Sequence, residues 1–438
     1  MFRYRKGFWI FRYIRIMKIK FTPVSLLVCL LIVTALSCDE TTIVKNYTGT
    51  GEEKTYSIEG YAQKGPFIVG TDVTVSELSE DLYPTGRVFF ATILNDEGYF
   101  ELPGVVLESR YVQIKIRGRY FSETGGYVPS EELTLYSLAD VTNSESINVN
   151  ILTHLEKERV EYLVQQENKS FNEAKAQAQA EILEVFEWED ISVDQSEQLD
   201  LSDNSTSGAI LLAMSSLFDV IDFVKRLETI TSFKIDFAND GTLNTTLIQN
   251  RLVTAATALN RSIIRDNMES KYDTEMPDFE SMLDLFINNS SYTNHFDSIF
   301  PKTYNGYTNL FRQDEENLDA SKNYAFIIGP YPVNTVAGQV NHFFMLEVRF
   351  ATTAEFPNVS ANNFTFVDSP EQLSFSVGEG YCNDFSYCAV AIWGKDFNGD
   401  NSDPYVLPIE YTGAGKLDIQ FQWDIDHVNI SRLHRLSW

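Results

Sequence analysis

Hydrophobic residues recur with a period of two as far as Asn150, with a helical period from Ile151 to about Ser290, and with a period of two again from Tyr324. A period of two sets one row of side chains against a core, and a period near 3.6 sets a stripe along a helix. The chain therefore reads as a multidomain α+β protein with β-rich ends and a helical middle. Val73 and Val75 alternate with Thr74 and Ser76, and Val112, Ile114 and Ile116 alternate with Gln113, Lys115 and Arg117. Turn residues separate these runs at Tyr83-Pro84-Thr85-Gly86, Asn95-Asp96-Glu97-Gly98 and Leu102-Pro103-Gly104, so residues 55–150 are expected to form a β-sandwich.

From Ile151 the spacing of Leu152, Leu155, Tyr162 and Leu163 predicts a helix. Ser170 and Glu173 form a capping box ahead of a second helix carrying Phe171, Ala174, Ala178 and Ile182 on one face. Residues 187–206 read as an acidic, serine-rich connection, and 207–229, 244–268 and 277–288 as three further helices, the last with Pro277 near its start. Residues 151–290 thus form an α-helical domain, and 291–323 a polar linker. Phe344, Leu346, Val348 and Phe350, then Leu417, Ile419, Phe421 and Trp423, alternate with polar neighbours, so 324–438 are expected to form a second β-sandwich.

The N-terminus sets the compartment. Seven Lys and Arg residues between Arg3 and Lys20 precede an apolar run, Val24 to Leu36, that is short for a spanning helix and ends on small residues at Cys38. This is the order of a secretory signal, and Met17, directly before Lys18, offers a second start. Ala35-Leu36-Ser37-Cys38 resembles a bacterial lipobox, which implies removal of residues 1–37 and a lipid on the Cys38 thiol. Residues 38–54, polar and rich in Gly and Thr, would be a tether. The expected location is a bacterial outer membrane, with the chain held by lipid and facing outside.

From Cys38 onward 27 Lys and Arg face 62 Asp and Glu, a formal charge of −35. A polyanion of this size repels nucleic acid and anionic head groups, so no nucleic-acid partner is expected and the membrane contact falls to the acyl chains. Only two cysteines follow Cys38. Cys382 and Cys388, six residues apart without nearby histidine, read as a disulfide of an exported protein.

The order Ser57-Ile58-Glu59-Gly60, Gly65-Pro66-Phe67, Val73-Thr74-Val75, Asn95-Asp96-Glu97-Gly98-Tyr99-Phe100 and Val112-Gln113-Ile114 resembles a carboxypeptidase-regulatory-like domain of transthyretin type. The resemblance covers about 95 residues and implies a sandwich module that accompanies other domains, not carboxypeptidase activity. Together with Leu152-Thr153-His154-Leu155-Glu156 and the run from Asp236 to Gly241, the chain resembles modular surface lipoproteins of Bacteroidetes type.

Catalytic signatures are missing: the chain has no Gly-x-Ser-x-Gly, phosphate-binding glycine loop or dinucleotide fingerprint. The best ligand-like cluster is Asp396, Asn398, Asp400 and Asp403, whose oxygens could converge on Ca²⁺. The EF-hand pattern fails there, with Asn401 at position six and Leu407 at position twelve, and a solvated turn is the favoured alternative. The run from Asp236 to Gly241 reads as a helix-to-helix turn, and His154, without a second histidine, as a helix-face residue. Asp424-Ile425-Asp426-His427 reads as a charged strand end. No cofactor is required by this sequence. The expected role is non-enzymatic binding or scaffolding of a carbohydrate, a protein or an envelope complex. The rivals are a calcium-assisted extracellular hydrolase and a fimbrial-type structural subunit.

Overall fold

The computed structural model describes residues 52–142, 146–294, 296–297, 300–312 and 321–328, together with the C-terminal strands named below. Two N-terminal sheets come first. β1 (Lys54–Gln63) pairs antiparallel with β4 (Tyr99–Leu107) and, at its far end, parallel with β7 (Val149–Asn150). β2 (Asp72–Leu78), β3 (Pro84–Thr92), β5 (Tyr111–Gly118) and β6 (Leu133–Asp140) form a second sheet in the order β3-β2-β5-β6. The alternation seen in the sequence is the burial pattern: Val73, Val75, Val112, Ile114 and Ile116 all face the core.

Turn chemistry is used as expected at Asn95, whose side chain accepts from the Glu97 and Tyr99 amides, with Gly98 at a φ of +86° against the Ala62 carbonyl. Leu102-Pro103-Gly104 behaves differently. It lies inside β4, where the register jumps between Tyr56 and Ile58 opposite, and Gly104 has a φ of +72°. Pro103 has no amide to give the ladder, so the extra residue is absorbed as a β-bulge rather than a turn.

The passage from sheet to helix has no linker. Asn150 is both the last residue of β7 and the N-cap of α1 (Ile151–Gln165): its side chain accepts from the Thr153 amide while Thr153 accepts from the Asn150 amide. α1 then lies along β6, with Thr153 Oγ1 donating to the Tyr136 carbonyl at 3.0 Å. α2 (Phe171–Val185) starts at the predicted Ser170/Glu173 capping box. α3 (Thr206–Asp219), α4 (Phe223–Phe237), α5 (Thr246–Ala258), α6 (Arg261–Tyr272) and α7 (Phe279–Asn289) follow. The two long helices expected over 207–229 and 244–268 are each broken once. Asp222 caps α4 through the Val224 amide at 3.2 Å, and Asn260 caps α6 through the Ile263 amide at 3.3 Å.

One large apolar core joins Phe100 and Ile114 of the sheets, Ile151, Leu212, Phe233 and Phe279 of the helices, and Phe296, Phe300 and Leu310 beyond them, while a smaller one packs Leu78 and Leu138 against Leu163 and Phe171. The segment 187–206 is packed rather than free, with Trp188, Leu199 and Leu201 buried. The stretch read as a linker over 291–323 likewise contributes β8 (Thr303–Tyr304) and β9 (Tyr307–Asn309). Among the described residues no helix is long and apolar enough to cross a membrane.

The C-terminal strands form two sheets. β9 pairs with β10 (Asn323–Ile328), which pairs with β16 (Tyr405–Tyr411), and β12 (Phe364–Phe366) lies beyond β16. The other sheet runs β13 (Ser376–Val377), β15 (Tyr387–Lys395), β11 (Phe343–Ala351), β17 (Lys416–Ile425), β18 (Val428–Ser437), with β14 (Tyr381–Cys382) also on β15. Leu346 is opposite Ile392 on one side and Phe421 on the other, and Val348 opposite Val390 and Ile419.

The same register sets Cys382 directly opposite Cys388 across β14 and β15. Opposed residues of an antiparallel pair have Cα atoms ~4.5–5.5 Å apart, within the range a disulfide spans. We propose that the two are bonded. Thiol labelling of the denatured, unreduced protein should modify neither; labelling of both would refute the bond.

Candidate functional site

The densest chemistry of the described body is a buried charge cluster that joins the N-terminal sheets to the helices. The tight turn after β1 carries Lys64 inward. Gly65 there has a φ of +55°, and a Cβ on it would lie 1.8 Å from the Phe121 carbonyl oxygen, so only glycine fits. Lys64 Nζ meets Glu123 Oε2 at 3.0 Å and Asp219 Oδ1 at 3.6 Å, with all three side chains at most 1% exposed. Asp219, the last residue of α3, also pairs with Arg226 Nη1 at 3.1 Å. Its Oδ2 accepts from Ser122 Oγ at 2.5 Å, Thr124 Oγ1 at 2.7 Å and the Thr124 amide at 3.1 Å. Ser215 donates to Glu123, Arg226 donates to Tyr120 Oη and to the Asp219 carbonyl, and Asn267 donates to the Glu123 carbonyl at 2.9 Å.

Burial alone would raise the Asp219 carboxyl, but the charges of Lys64 and Arg226 and the hydroxyls of Ser122 and Thr124 override it and hold it far below the usual range. Burial pushes Glu123 up, opposed by Lys64 and reinforced by the negative charge of Asp219. Two cations and two carboxyls thus complete one another in a buried site and tie residues 64, 120–124, 215–226 and 267 together. The four charged groups have each other as partners, so this is an architectural clamp rather than an open acid–base pair.

A second cluster imitates a nucleophile. Ser196 Oγ lies 2.7 Å from Lys175 Nζ, both buried between α1 and α2. A serine activated by lysine needs that amine neutral. Burial would lower Lys175, but Glu156 and Glu197, the latter at 2.8 Å, override it and keep the amine charged. Lys175 is therefore held as a counter-ion, not as a base. Glu156 is pushed up by burial, against the pull of Lys175.

His154 is where the sequence placed it, on a helix face, but the face is buried against β6. Its ring stacks on Tyr136 with centroids 5.6 Å apart, and Lys234 Nζ lies 3.4 Å from Nδ1 while pairing with Glu158 at 3.0 Å. Burial, then the charges of Lys234 and Lys157, lower His154 well below its ordinary value, so it is neutral in the fold. In the unfolded chain it titrates near 6.5. Its stabilising contribution is therefore complete above that pH and falls as the pH drops below it, by up to about 1.4 kcal/mol per pH unit. His154→Phe should flatten the decline of stability between about pH 7 and 5 in urea titrations; an unchanged slope would show that His154 does not carry it.

The run from Asp236 to Gly241 is the expected helix-to-helix turn. Asp236 Oδ2 accepts the Asn244 and Thr245 amides at 2.7 and 2.8 Å, so it fastens the start of α5 and leaves no converging set of ligands. Among the described residues no group of three or more His, Cys, Asp or Glu is arranged to hold a metal ion. Cys38 and the calcium candidates Asp396, Asn398, Asp400 and Asp403 lie outside the described residues, as do Asp426 and His427.

Sequence reasoning passed over Lys64, Glu123, Asp219 and Arg226. One signal was there to read: Asp219 is the lone charge in the apolar run from Ala209 to Ile221, and a carboxylate in such a run needs a buried partner. No family model, curated protein or solved structure matches this chain.

Proposed function

We propose that this chain is a lipid-anchored surface protein that works by binding or scaffolding, built as an N-terminal sandwich of carboxypeptidase-regulatory-like type, a helical body and a C-terminal sandwich. The observation that carries this reading is how the described body uses its reactive groups. Lys64, Glu123, Asp219 and Arg226, and then Lys175, Ser196, Glu156 and Glu197, are buried and spent on one another. Such clusters cost desolvation and return a fixed relation between distant segments. A rigid frame of this kind suits a protein that presents loops or edges to a carbohydrate or protein ligand. The signal ending at Cys38 supports an anchor of two or three acyl chains at the membrane.

Cell fractionation tests the anchor: Cys38→Ala should move the chain from the membrane to the soluble fraction, and protease added to intact cells should reach the wild type. Binding arrays of glycans and envelope proteins test the role. A chain that stays membrane-bound without Cys38, or that binds nothing but hydrolyses a glycan or peptide, overturns the proposal.

A further inference from the structure

The sheet β3-β2-β5-β6 turns one face to the core and the other outward. One register row of the outward face runs Phe90, Thr74, Lys115, Tyr136, and the next runs Val88, Ser76, Gln113. Phe90 is 73% exposed, while Thr74, Ser76, Gln113 and Lys115 are half-buried. At the β6 end α1 stands over this face, with His154 stacked on Tyr136. The row from Phe90 to Tyr136 crosses four strands, a distance of ~14 Å, and meets the helix as a step.

That step gathers positive charge. Lys157 and Lys234 each lie 5.7 Å, and Lys115 5.9 Å, from the centre of the Tyr136 ring. Two carboxylates answer three ammonium groups: Glu161 holds Lys157 at 2.7 Å and Glu158 holds Lys234 at 3.0 Å. Lys115 has no carboxylate partner among the described residues. Burial lowers Lys234 against the pull of Glu158, and burial, then the charges of Lys234 and Lys157, lowers His154. A chain with 62 acids against 34 cations thus sets three lysines around one ring. An anion placed among them relieves a repulsion that the fold leaves standing.

We infer that this step holds an acidic carbohydrate, its carboxylate or sulfate at Lys115 and Lys157 beside Tyr136 and its rings along the face toward Phe90. The lysines select an oxyanion. Thr74, Ser76 and Gln113 offer hydrogen bonds to sugar hydroxyls, and the open ring of Phe90 offers a flat apolar surface to a sugar's C–H face. The negative charge of the whole chain turns long polyanions away, but salt screens it beyond ~8–10 Å, so the nearest groups decide for a short ligand. The inference rests on the binding role proposed above and names its ligand class.

The test measures binding to the full chain in detergent by calorimetry. The probes are a short oligogalacturonide with its methyl ester, and a monosulfated oligosaccharide with its unsulfated form. At least one acidic member should bind about tenfold or more tighter than its neutral twin, the scale of one hydrogen bond to a charged group. Which pair shows it tells carboxylate from sulfate. Lys115→Gln should remove about tenfold of that affinity, while Lys115→Arg should keep most of it. Phe90→Ala should weaken the acidic and neutral probes alike. Lys225→Gln, at an α4 lysine already paired with Glu228, should change nothing. Equal binding of the twins, no binding of either pair, or equal losses in Lys115→Gln and Lys225→Gln would overturn the inference. The binding role survives such a result if the arrays above still find a glycan or protein ligand, and falls with it if they find none.

Discussion

Replacing Lys64 by methionine is expected to destabilise the folded body by about 3–5 kcal/mol, the scale found when one member of a buried ion pair is removed. Methionine fills similar volume, so the loss is electrostatic. Glu123 then keeps only the Ser215 hydroxyl and the more distant charge of Arg226, and Asp219 keeps Arg226 as its ion pair. Because burial already pushes Glu123 up, it should take a proton in the variant, and the cost should shrink as the solution is acidified toward pH 5. Lys64→Met combined with Glu123→Gln should recover part of the loss, since the stranded charge is removed with its partner. The apolar core is continuous from the sheets into the helices, so far-UV circular dichroism and tryptophan fluorescence should report one coincident urea transition in all variants. A loss below about 1 kcal/mol would make the cluster incidental to stability. Two separated transitions would show that sheets and helices fold independently.

The strands of the N-terminal sheets were legible because each has one buried row: Val112, Ile114 and Ile116 face the core while Gln113, Lys115 and Arg117 do not. The start of α2 was legible because Ser170 and Glu173 act locally and need no tertiary partner. What was hidden depends on partners far away in sequence. Nothing near Lys64 reveals that Glu123 and Asp219 will surround it. The breaks at Asp222 and Asn260 were masked because a single capping side chain decides each of them. Leu102-Pro103-Gly104 has turn composition, yet strand pairing on either side turned it into a bulge. His154 was rightly placed on a helix face, but its burial against Tyr136 follows only from how α1 lies on β6. Cys382 and Cys388 were picked out by composition, and the strand register adds that their backbones face each other.

Residues 187–206 connect α2 to α3 as the sequence suggests, but the connection is packed, and this leads to the second large effect. α2 ends in a Schellman-type cap: the Trp188 amide donates back to the Leu183 carbonyl at 2.8 Å, and Glu187 holds a φ of +60°. Glycine ordinarily marks that position, and glutamate gave no stop signal. The cap turns the chain sharply inward, so Trp188 is wholly buried in a stretch whose acidic, serine-rich composition suggests solvent. Its ring stacks on Phe186 with centroids 5.0 Å apart, Phe186 in turn meets Phe233 and Phe286, and Nε1 donates to the Met282 carbonyl at 2.9 Å. Trp188 is therefore tied to α7 directly, and to α4 through Phe186 at the end of α2. Trp188→Ala should cost about 3–5 kcal/mol, as large-to-small changes at buried aromatics do, seen as a lower urea midpoint at unchanged m-value. Trp188→Phe should cost less, because it keeps part of the stack and loses only the hydrogen bond and some volume. A shift under about 1 kcal/mol for the alanine variant would mean that this segment is a loose connection after all, and that the helices close without it.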